Sequence, residues 1–364
     1  MAIARLLNKP EDYIKLGQKK DMVEIWEDGL RTTGKFGEYE WWYSDFKLND
    51  GTSLVIVFFT APVTASSLGF KPSLQFSYTK QDGTLVSESF AFKKNEAVFE
   101  KERCYVKIGK NIIEGDLNTY QIHYESEDIT ADIKLVNNTT SWRPETGRIN
   151  FANNKYFAWL PSVPEGSATV KMTIKGEEYN LNGTGYHDHN WGNTAMFWLM
   201  HHWYWGRAKI GDYQVISSYI TANKKHKYEH FKIFLLSKNG EKLADNGEYV
   251  TYKQLEPQFD PVTKKHYHKK LIYDYNDGTI HYEIIYEMNE IIEYFTYKNN
   301  EGNAAASCPE ILKSIVGLLG LDPSYIRMTG TATVKKYENN MVVEEVSSPA
   351  IWELMYFGKD RIRQ

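Results

Sequence analysis

"LIYDYNDGTIHYEIIYE", residues Leu271 to Glu287, decides the fold class. Leu271 and Tyr273 lead on alternate positions into Asp277-Gly278, and Ile280, Tyr282 and Ile284 leave it on one face, which is the period-two pattern of a half-buried β-hairpin. A helix would bring its apolar residues together every three or four positions instead. The same punctuation recurs at Asp50-Gly51, Asp82-Gly83 and Asn239-Gly240, each between runs rich in Val, Ile, Tyr, Phe and Thr. Such dipeptides fit type I′ turns, which need positive φ at both central residues. Strong helix signals are few. The best is "CPEILKSIVGLLGLDP", with Pro309 at a first helical position and Ile311, Ile315, Leu318 and Leu319 at helical spacing.

Many short strands with one helix favour barrels or sandwiches over an alternating β-α architecture. A chain of 364 residues exceeds one typical domain, so two β units are expected. Nine of the ten Trp lie at or before Trp205, and Lys- and Tyr-rich hairpins resume after "WYWGRA". This shift places the boundary near residue 210, giving units 1–210 and 211–364, with the short helix in the second.

Composition narrows the partners. The chain is 42% hydrophobic, 25% charged and 15% aromatic, enough to build a core. Its net charge of −4, with cations and anions interspersed, argues against nucleic acid as a partner. Cys104 and Cys308 show no C-x-x-C spacing and read as free, buried thiols. The amino-terminal apolar run is broken by Asn8, Pro10 and charges, so no signal peptide is expected and the protein is assigned to the cytoplasm. No stretch approaches the roughly 18 apolar residues of a membrane helix. Neither G-x-G-x-x-G nor a phosphate loop is present, and no cofactor is assigned.

Three aromatic-rich stretches carry the candidate chemistry. In "EYEWWYSDF", Glu38 to Phe46, strand alternation sets Glu40, Trp42 and Ser44 against Trp41, Tyr43 and Asp45. In "GTGYHDHNWG", Gly183 to Gly192, it sets Tyr186, Asp188 and Asn190 against His187 and His189. An H-x-H pair can supply two metal ligands, with His201 or His202 as a third, but the imidazoles read better as structural groups, and no metal is assigned. The third stretch, "MFWLMHHWYWGRA", either fills a core or lines an apolar cavity.

Together with "SWRPETG" (Ser141 to Gly147) and "YFAWLPSVPEG" (Tyr156 to Gly166), these motifs resemble a lipocalin-like family in their order and spacing. That family contains carotenoid 1,2-hydratase (hydroxyneurosporene synthase) and kievitone hydratase and, more distantly, the fungal decalin-forming Diels–Alderases. The resemblance spans about residues 38 to 208. It implies two tandem lipocalin-like β units and a hydrophobic small-molecule substrate, prenylated, carotenoid-like or polyene. It also implies cofactor-independent hydration of an isolated C=C bond, with Asp188 as the proton donor.

The chemistry fits the residue types. An alkene must accept a proton and become a tertiary cation before water can add, and a carboxyl in apolar surroundings stays protonated enough to act as the acid. His187 or His189 would orient Asp188 or return its proton. Tyr186 and the rings of Trp41, Trp42, Tyr43, Trp191 and Trp203 are candidates for the wall that shelters the cation. The same pocket suits cyclisation or a pericyclic reaction of a polyene, and also simple carriage of a hydrophobic ligand.

Overall fold

The computed structural model describes residues 4–63, 67–296, 301–302 and 322–361. The fold is nearly all β and lipocalin-like, built from two curled antiparallel sheets. The helix expected over residues 308–323 lies outside the described residues, apart from its last two positions. Among the described residues the α-helix is Pro10–Leu16, with Pro10 in its first turn and Gly17 closing it at φ 70°. No helix among them is long and apolar enough to cross a membrane.

The chain divides into two compact units, Leu6–Met196 and Phe197–Gln364 with Met1–Arg5. This division falls ahead of the boundary expected near residue 210. The strand Met200–Ile210 pairs with Tyr213–Ala222 and Met341–Tyr356, so the aromatic-rich stretch opens the second sheet. Both cores draw on aromatic strands.

In the N-terminal unit the sheet runs Leu85–Ala91, Ser73–Thr79, Ser53–Phe59, Tyr39–Leu48, Glu177–Gly192, Lys155–Ile174, Ile129–Asn137, Thr119–Glu125, Asn111–Gly115, Cys104–Ile108, Ala97–Phe99. Two meanders therefore meet where Tyr39–Leu48 pairs with Glu177–Gly192. The inner face buries Trp42, Phe46, Leu54, Ile56, Phe76, Ile122, Leu135 and Val170. The second sheet has the same wiring: Met200–Ile210 meets Met341–Tyr356 at its centre, and Tyr204, Phe234, Tyr273, Ile284, Met328 and Trp352 fill its core. Its hairpin follows the opening stretch, with Tyr273 opposite Ile284 and Tyr275 opposite Tyr282.

Turn chemistry differs from expectation at three of the four dipeptides. Asn239 and Gly240 both have positive φ, at 52° and 83°, as type I′ requires. At Asp50-Gly51, Asp82-Gly83 and Asp277-Gly278 only the glycine is left-handed among the two. There the aspartate caps its own loop: Asp277 Oδ1 accepts from the backbone N–H groups of Thr279 and Ile280, and Asp50 and Asp82 accept likewise from Thr52 and Thr84.

Candidate active site

The site is built on the central strand pair of the N-terminal unit. In Glu177–Gly192 the glycines permit close packing: a Cβ on Gly185 would lie 2.7 Å from both Leu135 Cδ1 and Phe46 Cδ1. Beside it, Lys155–Ile174 carries Pro161 and Pro164, and its register with Glu177–Gly192 shifts between Leu160 and Val163 and again before Gly166. Proline cannot donate to a ladder, so the strand bulges at this point.

Asp188 stands opposite Tyr43, Asn190 opposite both Trp41 and Trp159, and Tyr186 opposite Asp45. These side chains share one face. Asp188 Oδ2 accepts from Trp159 Nε1–H and Tyr186 O–H, each at 2.8 Å, and Oδ1 accepts from the Asn190 amide at 2.7 Å. Burial pushes the carboxyl up to about 6, while the three donors and nearby His187 restrain the rise. Asp188 keeps 7% of its surface exposed, and Trp41 and Tyr43 are half-buried. Trp142 meets Trp159 edge to face, and Tyr43 meets Tyr186 in the same way.

His187 and His189 point the other way, into the core, and are fully buried. They make no hydrogen bond to Asp188. His187 Nδ1 lies 2.8 Å from the Tyr43 carbonyl and 3.1 Å from Ser44 Oγ, and His189 Nε2 lies 2.7 Å from Glu40 Oε1. The inner nitrogens, His187 Nε2 and His189 Nδ1, each lie 3.4 Å from an oxygen of Asp28. Burial alone would raise Asp28, but the facing imidazoles and the Tyr120 hydroxyl hold it below the ordinary aspartate value.

The expected aromatic wall is thereby split. Trp41, Tyr43 and Tyr186 accompany Asp188, whereas Trp42 and Trp191 stand on the histidine face, both against His189, with ring centroids at 4.5 and 4.6 Å. An extended strand allows no other outcome, since neighbours in sequence diverge. Trp203 belongs to the C-terminal unit, where it donates to Glu353 and packs on Phe357. His201 and His202, weighed as a third ligand, lie in that unit too, with their Nδ1 atoms 2.8 Å apart. Sequence reading named neither Trp159 and Asn190 as partners of Asp188 nor Asp28, Tyr120 and Cys104 in the inner cluster. Trp159 lies within a quoted motif, and only strand register couples it to the acid. Asp28, on the 3-10 turn Ile25–Asp28, has no local signal at all.

Comparison with known proteins finds likenesses in sequence and in fold. A quinolone epoxide rearrangement protein of Penicillium thymicola is 38% identical over 53 residues, a match spanning only 15% of either chain. The structure of CghA with Sch210972 superposes with a TM-score of 0.57 at 12% identity, covering 98% of this chain and 99% of that one. Kievitone hydratase from Nectria haematococca superposes with a TM-score of 0.54 at 13% identity, covering 93% of this chain and 94% of the other. At such identities the structural likeness is one of fold. The Diels-Alderase-like family model matches residues 37–299, well over half of the sequence, and the chain belongs to that family.

Proposed function

We propose that this protein is an enzyme in which Asp188 protonates a hydrophobic, prenylated or polyene substrate, so that a carbocation forms and water captures it. The observation that carries this reading is the Asp188 carboxyl, held at about 6 on a face shared with Trp159, Tyr186, Trp41 and Tyr43. A carboxyl so poised is protonated in roughly one molecule in ten at pH 7 and gives up its proton readily. Its oxygens offer about four acceptor positions, of which three are filled by fixed donors. The vacant one lies on Oδ1, which is where the transferable proton rides.

In the forward step the Oδ1–H bond breaks as a C–H bond forms at the less substituted alkene carbon, leaving a tertiary cation and the Asp188 carboxylate. Water adds to the cation, and the proton it sheds returns to the carboxylate, so the enzyme is restored. Trp159, Tyr186 and Asn190 stabilise the carboxylate between the two transfers. Trp41 and Tyr43 offer π faces to the cation, worth about 0.5–2 kcal/mol each.

A second reading keeps the same acid and changes the trap. Family membership and the name of the matched Penicillium thymicola protein favour it. Here an internal alkene or hydroxyl captures the cation, or an epoxide oxygen takes the proton, and the product is a cyclised or rearranged isomer of the substrate.

Incubation with prenylated phenols and polyenes in isotopically labelled water separates the two. Hydration adds the mass of one water and the label, whereas cyclisation or rearrangement leaves mass unchanged. Asp188→Asn is expected to lower kcat by about 100-fold or more with substrate Kd nearly unchanged. Full activity in that variant removes Asp188 from both reactions, and tight binding without any product identifies a carrier.

A further inference from the structure

The inner face of the same strand holds a second cluster that the proposed reaction does not use. Asp28, Cys104, His187 and His189 are all buried, with at most 1% of each exposed. They come from three places far apart in sequence: the turn Ile25–Asp28, the start of Cys104–Ile108 and the middle of Glu177–Gly192. Oxygen, sulfur and nitrogen atoms of Asp28, Cys104 and His187 lie within 4.8 Å of one another.

Tautomers show what the cluster lacks. The Tyr43 carbonyl can only accept, so His187 Nδ1 must carry the hydrogen at that 2.8 Å contact. His189 Nε2 donates to Glu40 Oε1, because the Glu40 carboxylate already accepts from the backbone of Arg31 and Thr32 and from the Thr32 hydroxyl. In the neutral rings, His187 Nε2 and His189 Nδ1 then present bare lone pairs. Each faces an oxygen of Asp28 at 3.4 Å, and His187 Nε2, His189 Nδ1 and Asp28 Oδ1 make no hydrogen bond among the described residues. Lone pairs facing a carboxylate repel. A positive charge, carried by a proton on the rings or by a bound cation, must lie between them.

We infer that Asp28, His187 and Cys104 form a site for a divalent transition metal of the zinc type inside the N-terminal unit, with His189 beside it against Asp28 Oδ1. Ligands at about 2.0–2.2 Å from a tetrahedral zinc lie about 3.3–3.6 Å apart, which matches the 3.4 Å between His187 Nε2 and Asp28 Oδ2. The outer N–H of His187 is fixed by the Tyr43 carbonyl, as a metal-bound histidine requires. Stacking on Trp42 and contact with Tyr120 set the ring planes, and the Tyr120 hydroxyl donates to Asp28 Oδ2. A nitrogen, a carboxylate and a thiolate select zinc, cobalt or iron over magnesium or calcium. On binding, the Cys104 S–H loses its proton to solvent and a metal–sulfur bond replaces it. The ion joins the turn Ile25–Asp28 to two strands of the sheet, so its role is to hold the unit's interior together.

The test uses untagged full-length protein expressed in minimal medium supplemented with zinc or with cobalt. Elemental analysis is expected to find about one ion per chain. The cobalt form is expected to show tetrahedral ligand-field bands and a near-ultraviolet thiolate charge-transfer band, the latter lost in Cys104→Ser. His187→Ala with His189→Ala is expected to lose the ion, and Asp188→Asn to keep it, so the metal site and the proposed acid are judged separately. Less than a tenth of an equivalent in wild-type protein from both media overturns the site. So does cobalt that stays bound with an unchanged spectrum in the double histidine variant, or nitrogen chemical shifts showing both wild-type imidazoles doubly protonated. The wild-type measurements decide the matter even where a variant does not fold.

Discussion

Asp188 meets two opposed demands, and both can be measured. Its carboxyl is raised from the ordinary aspartate value to about 6, so the folded state holds this proton more tightly than the unfolded chain. The associated stability is fully present below about pH 4 and is lost as the pH rises through 6, an effect on the order of 3 kcal/mol. Unfolding free energies of wild type and Asp188→Asn, followed from pH 4 to 7, are therefore expected to change sides in favour of the variant as pH rises. A gap independent of pH would show that the group titrates normally. Turnover should follow the same group, with kcat falling above about pH 6. Trp159→Phe removes one donor from Oδ2 and so destabilises the carboxylate. The pH at which kcat falls should move upward, at a stability cost of about 1 kcal/mol for the lost hydrogen bond. A profile that stays in place would show that Trp159 only fills space.

At the scale of the element, one strand serves two chemistries because its side chains alternate. Glu177–Gly192 turns Tyr186, Asp188 and Asn190 to one face and His187, His189 and Trp191 to the other. The motif reads as a single cluster in sequence, yet a sheet divides it. The strand can lie this close to its neighbours only where side chains are absent. Gly185→Ala would press a methyl against Phe46 and Leu135, both fully buried, and is expected to lower stability by about 1–3 kcal/mol. Chemical denaturation measures this directly, and a loss under 0.5 kcal/mol would mean the core yields freely. The Asp-Gly turns teach a related lesson. Their dipeptides announce hairpins correctly, but whether the aspartate adopts positive φ or caps the loop depends on loop length, which the dipeptide does not encode.

At the scale of the whole molecule, each unit is closed by pairing an early strand with a late one. Tyr39–Leu48 finds Glu177–Gly192, and Met200–Ile210 finds Met341–Tyr356. A fragment of residues 6–196 retains its complete sheet and is expected to unfold cooperatively, whereas one ending at Ile174 loses the strand that joins both meanders and should show no thermal transition by circular dichroism. Cooperative melting of the shorter fragment would refute this account of closure. The sequence by itself determined the all-β class, the hairpin sites, the divergence of Asp188 from its flanking histidines and the lipocalin-like kinship, because these rest on local periodicity and motif spacing. Tertiary structure alone decided that the two units divide before Met200 instead of near residue 210 and that Trp203 lies in the second one. It also decided that Trp159 reaches the acid and that Asp28 and Cys104 lie beside His187. These outcomes depend on register between strands more than 20 residues apart and on the curling of a sheet, and neither leaves a mark in any short stretch of chain.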